Sequence, residues 1–459
     1  MIKLYINEIL SAVNGTLLCG SDDHFIDSVS TNSNELKKGA LFVPIKGETF
    51  DGHDFIDNAF GAGAVATLTS EHNVMDSSHV YIKVEDTKIA LQQLAAYYRQ
   101  KFNIPIVGIT GSVGKTSTKE MIASVLSAKF NVHKTTGNLN GQIGLPLTIL
   151  GLEPEHDVAV VEMGISEFDE MKKLSLIAQP SHAVITNIGV THIENLHSKE
   201  NIFKEKFKIT NFLNKSDYLF INGDDDILCK TQKNDKFNVI SFGLKNKSFF
   251  VANNIFCNND STTFEVLFDD NCQSFTIPTI GEHHVYNALV AIAIGLSMGM
   301  TPQNIQDGLM NFKNLKMRQN LYRFGSATLI DDCYNANPDS MKSAMKVLIQ
   351  VAKNGRKIAV LADMLELGEF SESLHFDVGN FAAQQGIDVI VTVGKFAKFI
   401  ADGAISFNKN ISVYSFDSNS EAIRCLENLI CCTDNVLVKG SRGMHMEEVF
   451  EKLLLLYKK

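Results

Sequence analysis

The chain has 459 residues, of which 45% are hydrophobic and 20% charged, with a formal net charge of −10. That length predicts about three domains. A net anion is drawn neither to nucleic acid nor to an anionic membrane surface, so general binders of either kind are excluded and any cationic site must be a local pocket.

The N-terminal stretch MIKLYINEILSAV carries Asn7 and Glu8 and lacks the apolar core of a signal sequence. The longest apolar run, ALVAIAIGLSMGM at 288–300, is too short to cross a bilayer and suits a buried core helix. The eight cysteines, Cys19, Cys229, Cys257, Cys272, Cys333, Cys425, Cys431 and Cys432, form no C-x-x-C pair and no zinc-ligand spacing. Reduced, mostly buried thiols are expected, in a cytoplasmic protein with no integral membrane segment.

In chain order, a first block reaches about residue 100. It holds a strand-like run at 40–45, a polar loop KGETFDGHD, a helix-like FIDNAFGAG, an apolar run at 64–68 and a helix in IALQQLAAYYRQKF. A second block opens with IPIVGIT at 104–110, short and β-branched, and continues with Met121, Ile122, Val125, Leu126 and Phe130 at helical spacing. Buried-type strands follow at 157–163, 182–188 and 218–222. A third block starts near Asn314, with strands expected at 327–331, 357–363, 388–394, 411–416 and 435–441. Strands alternating with helices predict parallel sheets with crossover helices.

Between the strand at 104–110 and the helix lies GITGSVGKTSTKE. Gly111, Ser112, Val113, Gly114, Lys115, Thr116 and Ser117 have the ingredients of a phosphate-cradling P-loop. Glycines let backbone N–H groups curl around oxygens, and the helix N-terminus adds positive potential. Lys115 would reach the outer phosphates, and the Thr116 hydroxyl would bind Mg²⁺. The first glycine of the strict pattern is absent, since position 109 is Ile109; an ordinary glycine-rich turn is the alternative. In an open parallel sheet, ligands sit beyond the carboxyl ends of strands. Glu162 and His192 follow two such ends. Glu162 is a hard oxygen ligand suited to Mg²⁺. A solvated carboxylate and a hydrogen-bonded loop histidine are the plain alternatives.

Taken together, these stretches resemble the Mur ligase family of ATP-dependent, amide-forming ligases. The glycine pattern, VVEMG, ITNIGVTHIE and GEHHVYNALVAIA carry the likeness in the middle of the chain. LFVPIKGETFDGHDF, TTGNLNGQIGLPLTIL, LIDDCYNANPDSMKSAM, VLADMLELGEFSESLH and VKGSRGMHMEEV carry it elsewhere. Within the family the match is to the branch that joins D-alanyl-D-alanine to UDP-N-acetylmuramoyl-tripeptide.

The resemblance implies an α/β protein of three domains. These are a small α/β UDP-substrate domain at 1–100, a central P-loop parallel-sheet ATPase domain at 101–313 and a C-terminal Rossmann-like ligase domain at 314–459. It implies ATP and two Mg²⁺ ions as cofactors, small-molecule substrates, no nucleic-acid partner and a monomer. Lys115, Lys206 and His192 become the catalytic set. Asn287, Arg318 and Asp332 join the P-loop in holding ATP, the arginine at phosphate and the aspartate near ribose. Thr116, Glu162, His192 and a carbamylated Lys206 become metal ligands. Lys46, Thr135, Thr136, Asn335, Asn337 and Asp339 become substrate contacts. Read without the family, Lys206 is a solvated helix lysine flanked by Lys204 and Lys208. This chain departs from the family pattern at Asn32-Ser33-Asn34, at His284 and at Lys208. Two other readings stay open at this stage, a folylpolyglutamate synthetase-like ligase and a P-loop ATPase switch without ligase activity.

Overall fold

The computed structural model describes residues 1–70, 78–231, 235–245, 248–268 and 271–458. Three separate α/β layers follow one another along the chain. The first is a five-stranded sheet ordered Thr16–Cys19, Val80–Lys83, Ala66–Thr69, Ala40–Phe42, Ser28–Ser30. Its first pair is antiparallel and the rest are parallel.

The second sheet has nine strands. Its parallel core places Ile106–Thr110 between His182–Ile185 and Val158–Glu162. After Val158–Glu162 the chain crosses to the opposite side of the Ile106–Thr110 strand. That reversal leaves a crevice at the carboxyl ends of these three strands. All three are fully buried, which explains their unbroken apolar runs. The far side of this sheet was not expected from sequence. Phe250–Cys257, Thr262–Phe268 and Asn271–Ile277 extend it, the last two joints antiparallel.

The third sheet orders Asn320–Phe324, Ala327–Asp332, Asn435–Lys439, Lys357–Ala362, Val389–Val393 and Ser412–Phe416. Only its first pair is antiparallel.

The helix Thr87–Arg99 ties the first layer to the second. Tyr98 Oη donates to the Leu152 carbonyl at 2.7 Å. The buried Arg99 guanidinium donates to the carbonyls of Ala178, Phe102 and Ile104 at 3.0, 2.7 and 3.0 Å. The expected core helix is Glu282–Ser297, buried continuously from Asn287 to Gly295. Among the described residues no helix is long and apolar enough to cross a membrane.

Two expectations need correction. All eight cysteines are free, but only Cys333 is buried, and Cys229, Cys272, Cys431 and Cys432 are exposed. Cys229 lies in the short 3-10 helix Leu228–Lys230, Cys272 on an edge strand, and Cys431 and Cys432 in a surface turn, where no core forms around them. The strand expected at 182–188 ends at Ile185, because Thr186 and Asn187 turn their polar groups toward the P-loop.

Candidate active site

The P-loop is held from outside by the segment that follows His182–Ile185. Val113 N donates to Asn187 Oδ1 at 2.8 Å, and Thr186 Oγ1 donates to the Val113 carbonyl at 2.6 Å. Gly189 N donates to Ser112 Oγ at 2.8 Å. Two glycines are required by geometry. Gly111 has φ 148° and Gly114 has φ 83°. A Cβ on Gly111 would lie 1.9 Å from Thr186 Oγ1. The Lys115 ammonium folds back to the Gly111 carbonyl at 2.8 Å. Burial lowers its pKa; Glu162 and Glu366 oppose that shift, and Arg318 reinforces it.

The loop opens into a cavity of about 860 Å³ at the crevice between the second and third layers. Ser112, Val113, Gly114, Lys115, Thr116, Ser117, Glu162, His192, Asn287, Arg318, Asp332, Asn335, Asn337 and Asp339 all line it. Glu162 is only 2% exposed. Its Oε1 accepts from Asn140 Nδ2 at 2.8 Å, while its buried Oε2 has no hydrogen-bond partner among the described residues. An orphaned carboxylate oxygen facing a phosphate-type loop fits a hard cation. Among the described residues no three His, Cys, Asp or Glu side chains form a cage of their own.

The third layer reaches into the same cavity. Arg318 Nη2 donates to Thr116 Oγ1 at 3.1 Å, and the guanidinium lies 4.0 Å from the centre of the Tyr334 ring. Lys439 Nζ donates to Asp332 Oδ2 at 2.7 Å. Burial nevertheless raises the Asp332 pKa, against the pull of Lys439 and Arg318. His192 takes a left-handed backbone, φ 61°, and its Nδ1 lies 2.6 Å from Glu366 Oε2. Asn287 Oδ1 accepts from Thr118 Oγ1 at 2.9 Å, fixing the helix Glu282–Ser297 against the P-loop helix. Asn337 caps the helix Pro338–Val351 and donates from Nδ2 to Thr191 Oγ1 at 3.2 Å.

Lys206 is 1% exposed, and its Nζ has no hydrogen-bond partner among the described residues. Burial pushes its pKa well below the usual lysine range, and the nearby Lys115 charge adds to that. The picture of a solvated helix lysine is therefore wrong: Lys204 is exposed, but the helix turns Lys206 inward. Lys208 instead pairs with the buried Glu205 at 2.6 Å and with Asp169 at 2.8 Å.

Three expected substrate contacts fall away from this cavity. Thr135 has no exposed surface. Its Oγ1 accepts from Glu162 N at 3.0 Å, and its carbonyl accepts from Lys119 Nζ at 2.7 Å, so it braces the Glu162 strand from behind. Thr136 is exposed but does not line the cavity; Asn138 and Asn140 of that loop do. Lys46 lies on the first layer, exposed, 3.7 Å from Asp51.

Three family models match in succession. A Mur ligase family catalytic domain covers residues 25–99, a Mur ligase middle domain 109–295 and a Mur ligase glutamate ligase domain 317–442. The chain is 37% identical to the UDP-N-acetylmuramoyl-tripeptide–D-alanyl-D-alanine ligase of Bacillus subtilis over 99% of both chains. It is 36% identical to the ligase of that name from Escherichia coli, again over 99% of both.

The chain belongs to the Mur ligase family.

Among solved structures it resembles a MurF crystal structure from Acinetobacter baumannii, with TM-score 0.90, 32% identity and coverage of 100% and 99%. It also resembles a UDP-N-acetylmuramoylalanyl-D-glutamyl-2,6-diaminopimelate–D-alanyl-D-alanyl ligase from that organism, with TM-score 0.85, 31% identity and coverage of 99% and 98%. A MurF ligase from Thermotoga maritima in complex with ADP has TM-score 0.83 at 28% identity, covering 94% and 98%. Several residues in or beside the cavity of this Mur ligase escaped the sequence reading, Glu366 being beside it. Asn140 and Glu366 lie inside stretches already quoted for the resemblance, but nothing in their spacing says that one supports Glu162 and the other meets His192. Tyr334 and Lys439 likewise gain their partners only from packing.

Proposed function

We propose that this Mur ligase joins D-alanyl-D-alanine to a UDP-N-acetylmuramoyl-tripeptide at the cost of ATP, through an acyl phosphate. A carboxylate is a poor electrophile. Transfer of the γ-phosphoryl of ATP to one carboxylate oxygen releases ADP and creates a good leaving group. The dipeptide amine then attacks the acyl carbon, and the tetrahedral intermediate collapses to amide and inorganic phosphate. Little of this asks for covalent help from the protein; positioning and charge neutralisation dominate.

The observation that carries the reading is the convergence, in one cavity, of the P-loop, the orphaned Glu162 oxygen and Arg318 from the third layer. Full-length likeness to ligases of that activity supports the choice of substrates. Lys115 exchanges the Gly111 carbonyl for a phosphate oxygen. Arg318 moves from the Thr116 hydroxyl to the triphosphate, and that hydroxyl becomes a ligand. Asn287 steadies the adenosine side, and Asp332, paired with Lys439, faces the ribose. Asn335, Asn337 and Asp339 stand at the N-terminus of Pro338–Val351, where the dipeptide carboxylate meets a helix end. Thr116, Glu162, His192 and Lys206 are the groups to hold two magnesium ions. Such ions lower the repulsion between triphosphate and acceptor carboxylate, which costs several kcal/mol in a site of low dielectric.

The buried amine of Lys206 supports its carbamylation. A neutral amine adds to CO₂, forming a C–N bond and releasing a proton, and the product is an anion suited to a cation. The working divisions are residues 1–100, 101–313 and 314–459. A monomer acting in the cytoplasm completes the reading.

The test is phosphate release with ATP, D-alanyl-D-alanine and UDP-tripeptides, followed by mass spectrometry of the product. Phosphate release dependent on both small substrates, with a product heavier by one dipeptide less water, is expected. Release that ignores them, or that requires a protein or nucleic acid, refutes the reading. Lys115→Ala should abolish release while leaving the thermal unfolding profile unchanged.

A further inference from the structure

The cavity holds four basic side chains, and three are engaged. Lys115 donates to the Gly111 carbonyl, Arg318 to Thr116 and Lys439 to Asp332. The fourth, Lys199, is half-buried in the cavity wall and has no hydrogen-bond or ion-pair partner among the described residues. Glu170, which also lines the cavity, is occupied by Ser166 N at 2.6 Å, Glu167 N at 2.9 Å and Gln142 Nε2 at 2.8 Å.

Lys199 opens the helix Lys199–Phe207, which Ser198 caps by accepting from Asn201 N at 3.2 Å. Lys206 lies seven positions further on. Two helical turns place both lysines on one face, about 10 Å apart along the axis. Lys206 is the one close enough to Lys115 for the two charges to interact. Lys206 is buried behind the cavity, at the helix end nearer Lys115, which makes that the reacting end; Lys199, at the other end of the helix, lines the cavity as a separate cationic point.

A peptide of the type named for the second Acinetobacter structure carries carboxylates beyond the one that reacts. The glutamyl residue has one to spare and diaminopimelate has another. We propose that Lys199 anchors such a second carboxylate of the acceptor peptide and makes the enzyme select for an acidic acceptor. The proposal rests on the ligase reading. Leaving a cation half-buried without a partner is unfavourable, and a carboxylate arriving with the substrate removes that cost through a charge-assisted hydrogen bond.

The experiment uses the full chain and four UDP-tripeptides: D-glutamyl with diaminopimelate, its side-carboxyl amide, D-glutamyl with L-lysine, and the amide with L-lysine. Steady-state KM for each is measured on wild type, Lys199→Ala and Lys199→Arg. Lys199→Ala should raise KM about tenfold for the diacid acceptor, the size of one charged contact, with KM for ATP moving less than twofold. Lys199→Arg should recover most of the loss. The acceptor lacking both carboxylates should show no difference between wild type and Lys199→Ala. If amidation alone erases the difference, the glutamyl carboxylate is the partner; if lysine alone erases it, the third residue supplies it. An equal rise for all four acceptors, or no rise for any, overturns the proposal. Absence of turnover by wild type on every acceptor refutes the ligase reading instead.

Discussion

Arg318 and Thr116 lie 202 positions apart in sequence, yet the guanidinium of one donates to the hydroxyl of the other at 3.1 Å. The third layer therefore presses on the P-loop through the Thr116 hydroxyl, the group proposed above to hold a cation. Arg318→Ala is expected to lower kcat by about 30- to 150-fold, since a transition-state charge contact is typically worth about 2–3 kcal/mol. Steady-state phosphate release read alongside ATP affinity checks it; an unchanged kcat would place Arg318 outside the chemistry.

Gly111→Ala should destroy the nucleotide site. Its φ of 148° disfavours any Cβ, and that Cβ would collide with Thr186 Oγ1 at 1.9 Å. A destabilisation above about 1 kcal/mol is expected together with loss of ATP binding. Calorimetric titration and denaturant unfolding measure both.

Lys206→Ala should remove most ligase activity. Short carboxylic acids such as formate should restore part of it by replacing the missing anion. Removing dissolved CO₂ should weaken the wild type and leave the variant alone. Full activity without rescue would reduce Lys206 to a packing residue.

Acid should weaken the central layer partly through His182. Burial lowers its pKa from 6.5 to about 4, against the opposing pull of Asp217. The folded protein then binds fewer protons than the unfolded chain between those values, so stability falls as pH drops from about 6.5 toward 4. The contribution between pH 7 and pH 5 is about 2 kcal/mol. His182→Phe removes it, so the urea midpoint of the variant should fall less over that interval. Parallel slopes for the two proteins would contradict this.

Much of the scaffold was legible because it obeys short-range rules. Ile106–Thr110, Val158–Glu162 and the helix Lys115–Leu126 follow from apolar runs, helical spacing and one glycine-rich turn. The added strands Phe250–Cys257 and Thr262–Phe268 were not legible, since their exposed faces alternate with polar residues and a register shift interrupts their pairing. Placement at the site was legible where a residue type announces its use, as with Lys115 and Glu162, which both line the cavity. It failed where use depends on direction. Thr135 sits in the right loop but faces backward to Glu162 N, whereas Asn140, five residues on, faces forward to the Glu162 carboxylate. Lys206 between Lys204 and Lys208 shows the same limit: composition suggests solvent, and only the turn of the helix buries the middle amine.

The carbonyls gathered by Arg99, with the Tyr98 bond to Leu152, fasten the first layer to the second through buried backbone. The third layer meets the second through side chains at the cavity, Arg318 to Thr116, Asn337 to Thr191 and Glu366 beside His192, and away from it through Arg323 and Lys353 to Asp260 and Asn259. Arriving ligands compete for the groups at the cavity. On the ligase reading, the first two layers move together, and the third is the part that swings aside for cargo to enter and leave.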